Sequence, residues 1–393
     1  MPQNILVLNC GSSSLKFAVI QPSTDTFVLQ GLADRLNSPQ AHLDYELNQS
    51  KQAQSLADNT HQGAIAAVIQ VLADNQLLNT LLGVGHRVVH GGEAFSKSQL
   101  IQQESLAKLE SLSHLAPLHN PVNILGMKAI FSLLPEIPQV AVFDTAFHQT
   151  LGESAFLYAL PYEHYQQHGV RRYGFHGTSY RYVSQEAATR LNKPAEECHF
   201  LIAHLGNGCS ACAVRNGQSV DTSMGLTPLE GLAMGTRSGD LDPGLLPFLC
   251  ERLNLPLADI MSILNKQSGL LGLSGLSNDM REIQQAAQQG HIQANLAIEV
   301  FAFKIARYLG ALAVSLPKID ALIFTGGIGE NDRLTRSLVL EHLTILGFEI
   351  DGELNQTNGN HIGQITTQDS TLSLVVATNE ELMIAQDTLS IIQ

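Results

Sequence analysis

The stretch most informative about the fold is Ile5-Leu-Val-Leu-Asn-Cys-Gly-Ser-Ser-Ser-Leu-Lys-Phe-Ala-Val-Ile20. Apolar residues fill both ends, and the polar segment Asn9 to Ser14 separates them. This pattern predicts a β-hairpin with a tight tip. Because glycine and serine carry little bulk, the backbone N–H groups of the tip could approach a phosphate closely, with Lys16 adding a positive charge. Taken alone, the same pattern is also typical of an ordinary turn.

The same design recurs later in the chain. The stretch Phe200-Leu-Ile-Ala-His-Leu-Gly-Asn-Gly-Cys-Ser-Ala-Cys-Ala-Val214 predicts a second hairpin, whose tip runs from Leu205 to Ser210. In Leu322-Ile-Phe-Thr-Gly-Gly-Ile-Gly-Glu-Asn331 an apolar strand runs directly into glycines, and a helix is predicted from Asp332. Two equivalent hairpins and a late strand–glycine–helix segment predict a duplicated nucleotide clamp.

The composition is that of a globular protein with more acidic than basic groups. The chain has 393 residues, 44% of them hydrophobic, and a formal net charge of −14 from 22 Lys and Arg against 36 Asp and Glu. Since a typical domain has roughly 150 residues, we expect two or three domains. The acidic balance provides no overall basic field, so we expect neither nucleic acid nor a membrane as a partner.

The sequence also indicates the compartment. The N-terminus has no basic segment or cleavage site of a secretory signal, and no apolar run approaches the ~20 residues that span a bilayer. Five scattered cysteines do not suggest a disulfide framework. Cys209 and Cys212 have the spacing of a metal site, but no second pair accompanies them, and on a strand they would face opposite sides. We therefore expect a cytoplasmic protein without a zinc site.

Hydrophobic periodicity predicts an α/β chain. In its first part we expect a helix over 64–78, a strand over 84–89, helices over 106–115 and 121–134, and a strand over 139–143. In its second part we expect a helix to about Leu191 capped by Thr178 or Ser179, a functional loop over 226–244, helices over 246–265, 279–289 and 291–316, a strand over 320–325, a helix to about 346 and a strand over 372–377. The helix over 291–316 is apolar nearly all round, which predicts burial.

Two further features concern organisation. Asp144 directly follows the predicted strand over 139–143, at the edge of an open α/β sheet where ligands bind. Thr378-x-x-Glu381 is a capping-box pattern that predicts the start of a final helix. We expect an N-terminal domain over 1–146, with 382–393 returning to it as a C-terminal helix, and a second domain over 147–381 that carries most nucleotide contacts.

Eight short motifs follow one another over nearly the whole chain. They are Asn9-Cys-Gly-Ser-Ser-Ser-Leu-Lys16, His86-Arg-Val-Val-His-Gly-Gly92, Phe143-Asp-Thr-Ala-Phe-His148, Tyr173-Gly-Phe-His-Gly-Thr-Ser179, His204-Leu-Gly-Asn-Gly208, Gly235-Thr-Arg-Ser-Gly-Asp-Leu-Asp-Pro243, Phe324-Thr-Gly-Gly-Ile-Gly-Glu-Asn331 and Thr378-Asn-Glu-Glu381. In this order they resemble the motifs of the acetate kinase family, part of the acetate and sugar kinase/Hsp70/actin superfamily. The resemblance implies a two-domain, duplicated α/β fold of the actin, Hsp70 and sugar-kinase type, with a nucleotide cleft between the domains.

The resemblance also implies an activity. An acetate kinase transfers the γ-phosphoryl group of ATP directly and reversibly to acetate, with Mg²⁺, and gives acetyl phosphate and ADP. Members of the family act as homodimers. A propionate or butyrate kinase on the same scaffold is one alternative, and a nucleotide-gated chaperone-like or actin-like clamp is another. The clamp is disfavoured because it would need no basic residues around a γ-phosphate, and no extra peptide-binding or polymerising segment is present.

For catalysis the resemblance points to Arg87, Asp144, His176 and Arg237. Arg87 would hold the substrate carboxylate, since a guanidinium fork matches a carboxylate bidentately. Arg237 and His176 would bind oxygens of the transferring phosphoryl group. An ionised acceptor has no proton for a base to remove, so we expect Asp144 to order magnesium and its waters. Without the resemblance, Arg87 could equally be a surface arginine and His176 an ordinary loop histidine.

The remaining residues implied by the resemblance fall into three groups. The magnesium ligands would be Asn9 and Glu380, few enough for an ion that keeps several waters. The residues around the acyl group would be Val89, Leu118, His119, Phe175 and Pro228. Those around the nucleotide would be Ser12, Ser14, Lys16, His204, Leu205, Gly206, Asn207, Gly208, Asp279, Met280, Arg281, Gly326, Gly327, Ile328, Gly329 and Glu330. One departure from the family is Tyr180, where a histidine is common; a tyrosine keeps a hydrogen-bonding O–H but cannot become cationic.

Overall fold

Two β-sheets organise the chain, one in each of its two units. Unit 1 comprises Met1–Phe147 and Asn379–Gln393, and unit 2 comprises His148–Thr378. The computed structural model describes residues 3–47 and 49–393, so Met1, Pro2 and Asn48 lie outside the described residues.

Strands and helices alternate along most of the chain. In chain order the strands are β1 Asn4–Cys10, β2 Leu15–Gln21, β3 Thr26–Asp34, β4 His42–Leu47, β5 Ser50–Ser55, β6 Leu81–Val88, β7 Gln99–Leu100, β8 Gln139–Phe143, β9 His199–Leu205, β10 Cys209–Arg215, β11 Gln218–Thr222, β12 Ala321–Thr325 and β13 Ser373–Val375. The α-helices are α1 His61–Asp74, α2 Gln103–Ser111, α3 Asn120–Leu133, α4 Glu153–Phe156, α5 Glu163–His168, α6 Gly177–Arg190, α7 Leu245–Leu253, α8 Leu257–Lys266, α9 Gly269–Ser274, α10 Met280–Gln288, α11 Ile292–Leu312, α12 Gly326–Asn331, α13 Arg333–Glu341, α14 Gly352–Gln356 and α15 Glu380–Ile392. Within the described residues, none of these helices combines the length and apolarity that a bilayer crossing needs.

Unit 1 contains an eight-stranded sheet in the order β5-β4-β3-β2-β1-β6-β8-β7. The predicted first hairpin is confirmed: β1 and β2 are antiparallel, with Asn9 opposite Lys16. Strands β1, β6 and β8 are parallel neighbours. Residues of α1 and α3 share a buried apolar cluster with β1, whereas α15 packs against β6. Gly85 permits this close packing, because a Cβ there would lie 2.7 Å from the Ile384 side chain.

Unit 2 contains a five-stranded sheet in the order β11-β10-β9-β12-β13. The predicted second hairpin is also confirmed, since β9 and β10 are antiparallel along their whole length. In both sheets a parallel strand pairs with the first strand of the hairpin: β6 pairs with β1, and β12 pairs with β9. The repeated pattern in the sequence therefore corresponds to a repeated sheet topology.

Two predicted helix caps are wrong. Helix α6 begins at Gly177 with His176 as N-cap in the left-handed conformation (φ 57°), so neither Thr178 nor Ser179 is the cap. The last helix is capped one residue later than expected, because the side chain of Asn379 accepts from the N–H of Leu382 at 3.1 Å. Both errors arise because the cap depends on where the preceding loop turns.

Other helix predictions need smaller corrections. The helix expected over 246–265 is two helices, α7 and α8, because Asn254 is left-handed (φ 52°) and Pro256 precedes α8. Helix α11 is not buried all round: its buried side includes Ile298 and Phe301, but Phe303 is 47% exposed.

Candidate active site

In unit 1 the ends of three strands bring polar side chains together. Asn9 lies near the end of β1, Arg87 near the end of β6, and Asp144 directly after β8. Glu380 begins α15, which packs against β1, β6 and β8. Because parallel strands end at the same edge of a sheet, the position of this cluster follows from the topology.

Arg87 and Asp144 form a bidentate ion pair. Nε of Arg87 donates to Oδ1 of Asp144 at 3.0 Å, and Nη2 donates to Oδ2 at 2.7 Å. Nη1 donates to Oδ1 of Asn9 at a longer 3.4 Å, and Oε2 of Glu380 lies 4.0 Å from Nε. The fork expected to receive a substrate carboxylate is therefore occupied on its Nε side by Asp144. The edge between the two Nη atoms is the part that remains for a ligand.

The electrostatics of this cluster favour a bound cation. Burial raises the pKa of Glu380 to about 7; Arg87 opposes this shift, whereas Asp144 and Glu381 add to it. Burial alone would lower the pKa of Arg87, but the carboxylates of Asp144 and Glu380 outweigh it and raise that pKa above its usual value. Asp144 and Glu380 thus share the guanidinium of Arg87, and a further cation would relieve their repulsion.

The donor atoms of the cluster suit magnesium. Asn9 and Glu380 offer only oxygen, the donor that Mg²⁺ prefers, and Mg²⁺ usually keeps several waters beside one or two protein ligands. No group of three or more His, Cys, Asp or Glu side chains is arranged around a common metal position within residues 3–47 and 49–393. The oxygen atoms of the two side chains therefore fit a magnesium ion.

Two hydrogen bonds at Gly11 hold the tip of the first hairpin, Gly11 to Ser14. A backbone hydrogen bond of 2.8 Å joins its two ends, and Nε2 of His61 lies 2.7 Å from the carbonyl oxygen of Gly11. Its serines are exposed or half-buried, so their O–H groups are accessible. Lys16 forms an ion pair with Glu381. The tip is thus a fixed polar loop with one partly neutralised lysine.

Sequence reasoning missed two buried asparagines of α3 that support this region. Asn123 donates from Nδ2 to the carbonyl oxygen of Cys10 at 2.9 Å and accepts the N–H of Val89 at 3.2 Å. Asn120 makes the same two kinds of bond with the backbone of His90, at 2.9 and 3.2 Å. Asn123 therefore fixes the end of β1 relative to the end of β6. The signal available in the sequence was an asparagine on each side of Pro121 and Val122, at the start of a helix.

The residues expected around the acyl group are divided between the units. In unit 1, Val89 is half-buried one residue beyond the end of β6, Leu118 is 68% exposed, and His119 is the N-cap of α3. In unit 2, Phe175 is buried and Pro228 is half-buried. Of these residues, Pro228 contacts Arg237 directly, because its carbonyl oxygen accepts from Nη1.

The tip of the second hairpin carries the polar cluster of unit 2. Gly208 lies just before β10, and a Cβ there would be 3.6 Å from Nη1 of Arg237 and 3.6 Å from Nε2 of His176. These two nitrogens are therefore within about twice that distance of each other, beside the tip. The structure thus brings together two of the residues predicted to be catalytic.

His176 and His204 lie against each other, with ring centroids 4.2 Å apart and planes 26° from parallel. The Nδ1 atom of each ring is hydrogen-bonded to a serine hydroxyl. Nδ1 of His176 lies 2.8 Å from Oγ of Ser210, and Nδ1 of His204 lies 2.9 Å from Oγ of Ser179. Both serines are fully buried. Sequence reasoning did not identify Ser210, although it faces His204 across the predicted hairpin.

Arg237 lacks a counter-charge within its unit. Nη1 donates to the carbonyl oxygen of Pro228 at 3.0 Å and lies 3.6 Å from Sδ of Met234. Burial lowers the pKa of Arg237 below its ordinary value. Among the described residues no carboxylate pairs with it. A half-buried guanidinium of this kind is suited to binding an anion.

A pocket of about 520 Å³ adjoins the second hairpin of unit 2. Its lining includes seven residues predicted to contact the nucleotide: Gly206, Asn207, Asp279, Met280, Arg281, Gly327 and Ile328. Asp279 caps α10 and holds Arg281 through two hydrogen bonds of 2.6 and 3.0 Å, which lower the pKa of Asp279 to about 2. The volume and the mixed polar and apolar lining are those of a small-molecule site.

Other predicted nucleotide residues shape the backbone instead. Gly326 has a positive φ of 76°, and a Cβ there would lie 2.8 Å from the carbonyl oxygen of Leu205, so only glycine fits. The carboxylate of Glu330 accepts the N–H groups of Gly326 at 2.9 Å and Thr378 at 3.0 Å. Gly329 packs closely behind Phe324. These residues hold β12 and α12 in the geometry that borders the pocket.

One known family matches nearly the whole chain. The model described as the Acetokinase family matches residues 4–386. The chain belongs to the Acetokinase family. Similar curated relatives include the acetate kinase of Stutzerimonas stutzeri (strain A1501), 53% identical over 391 residues and 99% of each chain. The acetate kinase of Chromobacterium violaceum is 50% identical over 390 residues, covering 99% of this chain and 98% of the relative. The predicted family and the predicted kinase class are confirmed.

Solved structures give the same fold. A propionate kinase from Francisella tularensis subsp. tularensis SCHU S4 has a TM-score of 0.95 and 45% identity, covering 99% of this chain and 100% of that one. The acetate kinase of Porphyromonas gingivalis has a TM-score of 0.94 and 43% identity, with complete coverage of both chains. The predicted fold class is therefore confirmed.

Proposed function

We propose that the protein transfers the γ-phosphoryl group of ATP directly and reversibly to acetate, giving acetyl phosphate and ADP. Relatives named acetate kinase, at about 50% identity over the full chain, support this acceptor. The observation that carries the proposal is Arg237, a half-buried guanidinium without a carboxylate partner among the described residues, beside His176 and the glycine tip. A phosphoryl group is the anion that such a site would stabilise.

In unit 2, Arg237 and His176 would act on the phosphoryl group. Negative charge in phosphoryl transfer is spread over the equatorial oxygens, and fixed N–H donors that point at them lower the barrier. Arg237 would supply charge and His176 a neutral N–H. The pocket lined by Gly206, Asp279 and Gly327 would hold the nucleoside.

In unit 1, Arg87 would hold the carboxylate of acetate through the edge between its two Nη atoms. Asp144 keeps the guanidinium in place through its bidentate ion pair. Since acetate is ionised at neutral pH, its oxygen needs no base before it attacks the γ-phosphorus. Val89, half-buried just beyond β6, would contact the methyl group.

We further propose Mg²⁺ as the metal, with Asn9 and Glu380 as its protein positions. When bound with ATP, it would neutralise charge on the phosphate oxygens. Asp144 would orient the waters of the ion rather than remove a proton. We also propose the expected division into an N-terminal domain over 1–146, joined by 382–393, and a second domain over 147–381 that carries most nucleotide contacts.

We propose a cytoplasmic homodimer that binds neither nucleic acid nor membrane. All five cysteines are free thiols, which suits a reducing compartment. Helix α7 is apolar but has no buried residue within unit 2, and its Leu245, Phe248 and Leu253 are 41–51% exposed. A second copy of the chain is the occupant that would cover this surface, because family members act as homodimers.

The test is an assay of the purified protein with ATP, Mg²⁺ and acetate, propionate or butyrate, in which hydroxylamine traps the acyl phosphate. We expect hydroxamate with acetate in largest yield, and a loss of about a hundredfold or more in kcat for Arg237→Ala. A higher kcat/KM for propionate or butyrate would select the alternative acceptor. ATP turnover without any hydroxamate would select the clamp and overturn the proposal.

A further inference from the structure

His176 is linked to a buried tyrosine through one serine. Oγ of Ser210 lies 2.8 Å from Nδ1 of His176 and is also hydrogen-bonded to the hydroxyl of Tyr180. Tyr180 and Ser210 are both fully buried, so water does not compete for these bonds.

The direction of each bond follows from counting hydrogens. Burial raises the pKa of Tyr180 well above its ordinary value, so its hydroxyl stays protonated and needs an acceptor. Among the described residues Oγ of Ser210 is that acceptor. The hydrogen of Ser210 then has one partner left, Nδ1 of His176. Both hydroxyl hydrogens are satisfied only if Tyr180 donates to Ser210 and Ser210 donates to His176.

We propose that Tyr180 and Ser210 are positioning residues that fix His176 as the Nε2–H tautomer. A nitrogen that accepts a hydrogen bond carries no proton, so the proton of the neutral ring must be on Nε2. Nε2 faces the glycine tip, 3.6 Å from the Cβ position of Gly208, on the side shared with Arg237. The ring would then present an N–H donor to the phosphoryl group. Only this last step rests on the proposed function; the tautomer is a property of the protein alone.

A tyrosine suits this task because its buried hydroxyl hydrogen must be donated, and among the described residues Oγ of Ser210 is the acceptor in reach. A histidine at position 180 could donate or accept, and could become charged, so it would leave the direction of the chain open. Nearby His204 shows the contrast: Ser179 lies between its Nδ1 and the hydroxyl of Thr378, and that chain of hydroxyls can run in either direction. Tyr180 removes this freedom for His176.

The tautomer can be read by nitrogen NMR on protein labelled with ¹⁵N-histidine, at pH 7.5 and without substrates. The chain has 15 histidines, so a His176→Gln variant assigns the signal. We expect wild type to show His176 protonated at Nε2 and accepting at Nδ1. In Tyr180→Phe the Nδ1–H form should become populated because Ser210 can then accept from the ring as well as donate to it. In Ser210→Ala it should become populated because the donor to Nδ1 is gone.

Kinetics supplies the functional readout. We expect kcat to fall about three- to tenfold in both variants, because one neutral hydrogen bond favours one tautomer over the other by about this factor. KM for acetate should stay within about twofold of the wild-type value. Tyr173→Phe is the matched control, since it removes a buried tyrosine hydroxyl that donates instead to the carbonyl oxygen of Gly169 at 3.0 Å. It should change neither the tautomer nor kcat.

A wild-type His176 protonated at Nδ1, or variants with an unchanged tautomer, would overturn the assignment of the tautomer. A changed tautomer with an unchanged kcat would overturn the positioning role of Tyr180 and Ser210 in catalysis. If Tyr180→Phe fails to fold, Ser210→Ala decides alone, because it removes a single oxygen atom. If wild type makes no acyl phosphate, the proposed function fails, and the NMR signal still decides whether the relay exists.

Discussion

Asp144→Asn tests the ion pair on which the acceptor site depends. The side chain of Asp144 is 2% exposed and takes two charge-assisted hydrogen bonds from Arg87, at 3.0 and 2.7 Å. Asparagine keeps the shape and one acceptor oxygen, but its NH₂ group would face a guanidinium N–H. The variant therefore removes one bond and the counter-charge without creating a cavity.

Removing one partner of a buried ion pair typically costs about 3–5 kcal/mol. Asparagine retains one bond, and Glu380 remains 4.0 Å from Arg87, so we expect unit 1 to lose about 2–3 kcal/mol of its free energy of unfolding. Hydrogen exchange of the β6 and β8 amides in increasing urea reports this unit specifically. The control is Asp74→Asn, an exposed acid of α1, for which we expect a change within about 0.5 kcal/mol.

The same variant separates two roles in catalysis. If Asp144 orders magnesium and holds Arg87, the variant should need more magnesium for half-maximal rate, and its KM for acetate should rise. Raising the pH should not restore activity, since acetate has no proton to lose. An unchanged stability, or a rescue at high pH with normal magnesium dependence, would refute the reasoning and favour a general base.

Three other outcomes follow from the structure. Val89→Ala should raise kcat/KM for propionate relative to acetate by up to about tenfold, with little change in KM for ATP, since a hydrophobic pocket discriminates by about 10–200-fold per methylene. An unchanged ratio would mean that Val89 does not contact the acyl group. Burial lowers the pKa of His86 and of His148 to about 4, so the stability that each neutral ring provides is complete above about pH 6.5 and falls by about 1.4 kcal/mol per pH unit towards pH 4. Urea unfolding should therefore give His86→Gln a shallower loss between pH 6.5 and 4.5 than wild type, and parallel curves would contradict this. Phe248→Glu on α7 should convert the dimer to monomer in light scattering, whereas Phe303→Glu on α11 should not, and equal masses for both would exclude α7 as the interface.

The two hairpins and the strand before Asp144 could be predicted from the sequence because each depends on a local pattern of apolar and polar residues. Apolar runs on both sides of the Gly11 and Gly208 tips predicted two hairpins, and β8 coincides with the predicted strand over 139–143. The position of Asp144 followed from the strand end alone. Helices α7 and α8 were predicted as a single helix, because hydrophobic periodicity does not reveal that Asn254 adopts the left-handed conformation between them.

The finer geometry of the site depends on pairs that are distant in the sequence. The pairing of Arg87 with Asp144 joins residues 57 positions apart, and no local pattern indicates that the fork is already occupied. The link from Ser210 to His176 spans 34 positions and requires the register of β9 and β10. Leu118, expected beside the acyl group, is mostly exposed in unit 1, because apolar character alone does not determine burial in a loop.

The central claim is that an oxygen of acetate attacks the γ-phosphorus of ATP, and an isotope experiment tests it directly. The protein is incubated with acetate labelled with ¹⁸O in both carboxylate oxygens, ATP and Mg²⁺, and the product is then split by hydroxylamine, which attacks the carbonyl carbon. Mass spectrometry should find one ¹⁸O in each inorganic phosphate released and none in ADP. Unlabelled phosphate would mean that ATP was only hydrolysed, and label in AMP would mean attack at the α-phosphorus; either result would contradict the account.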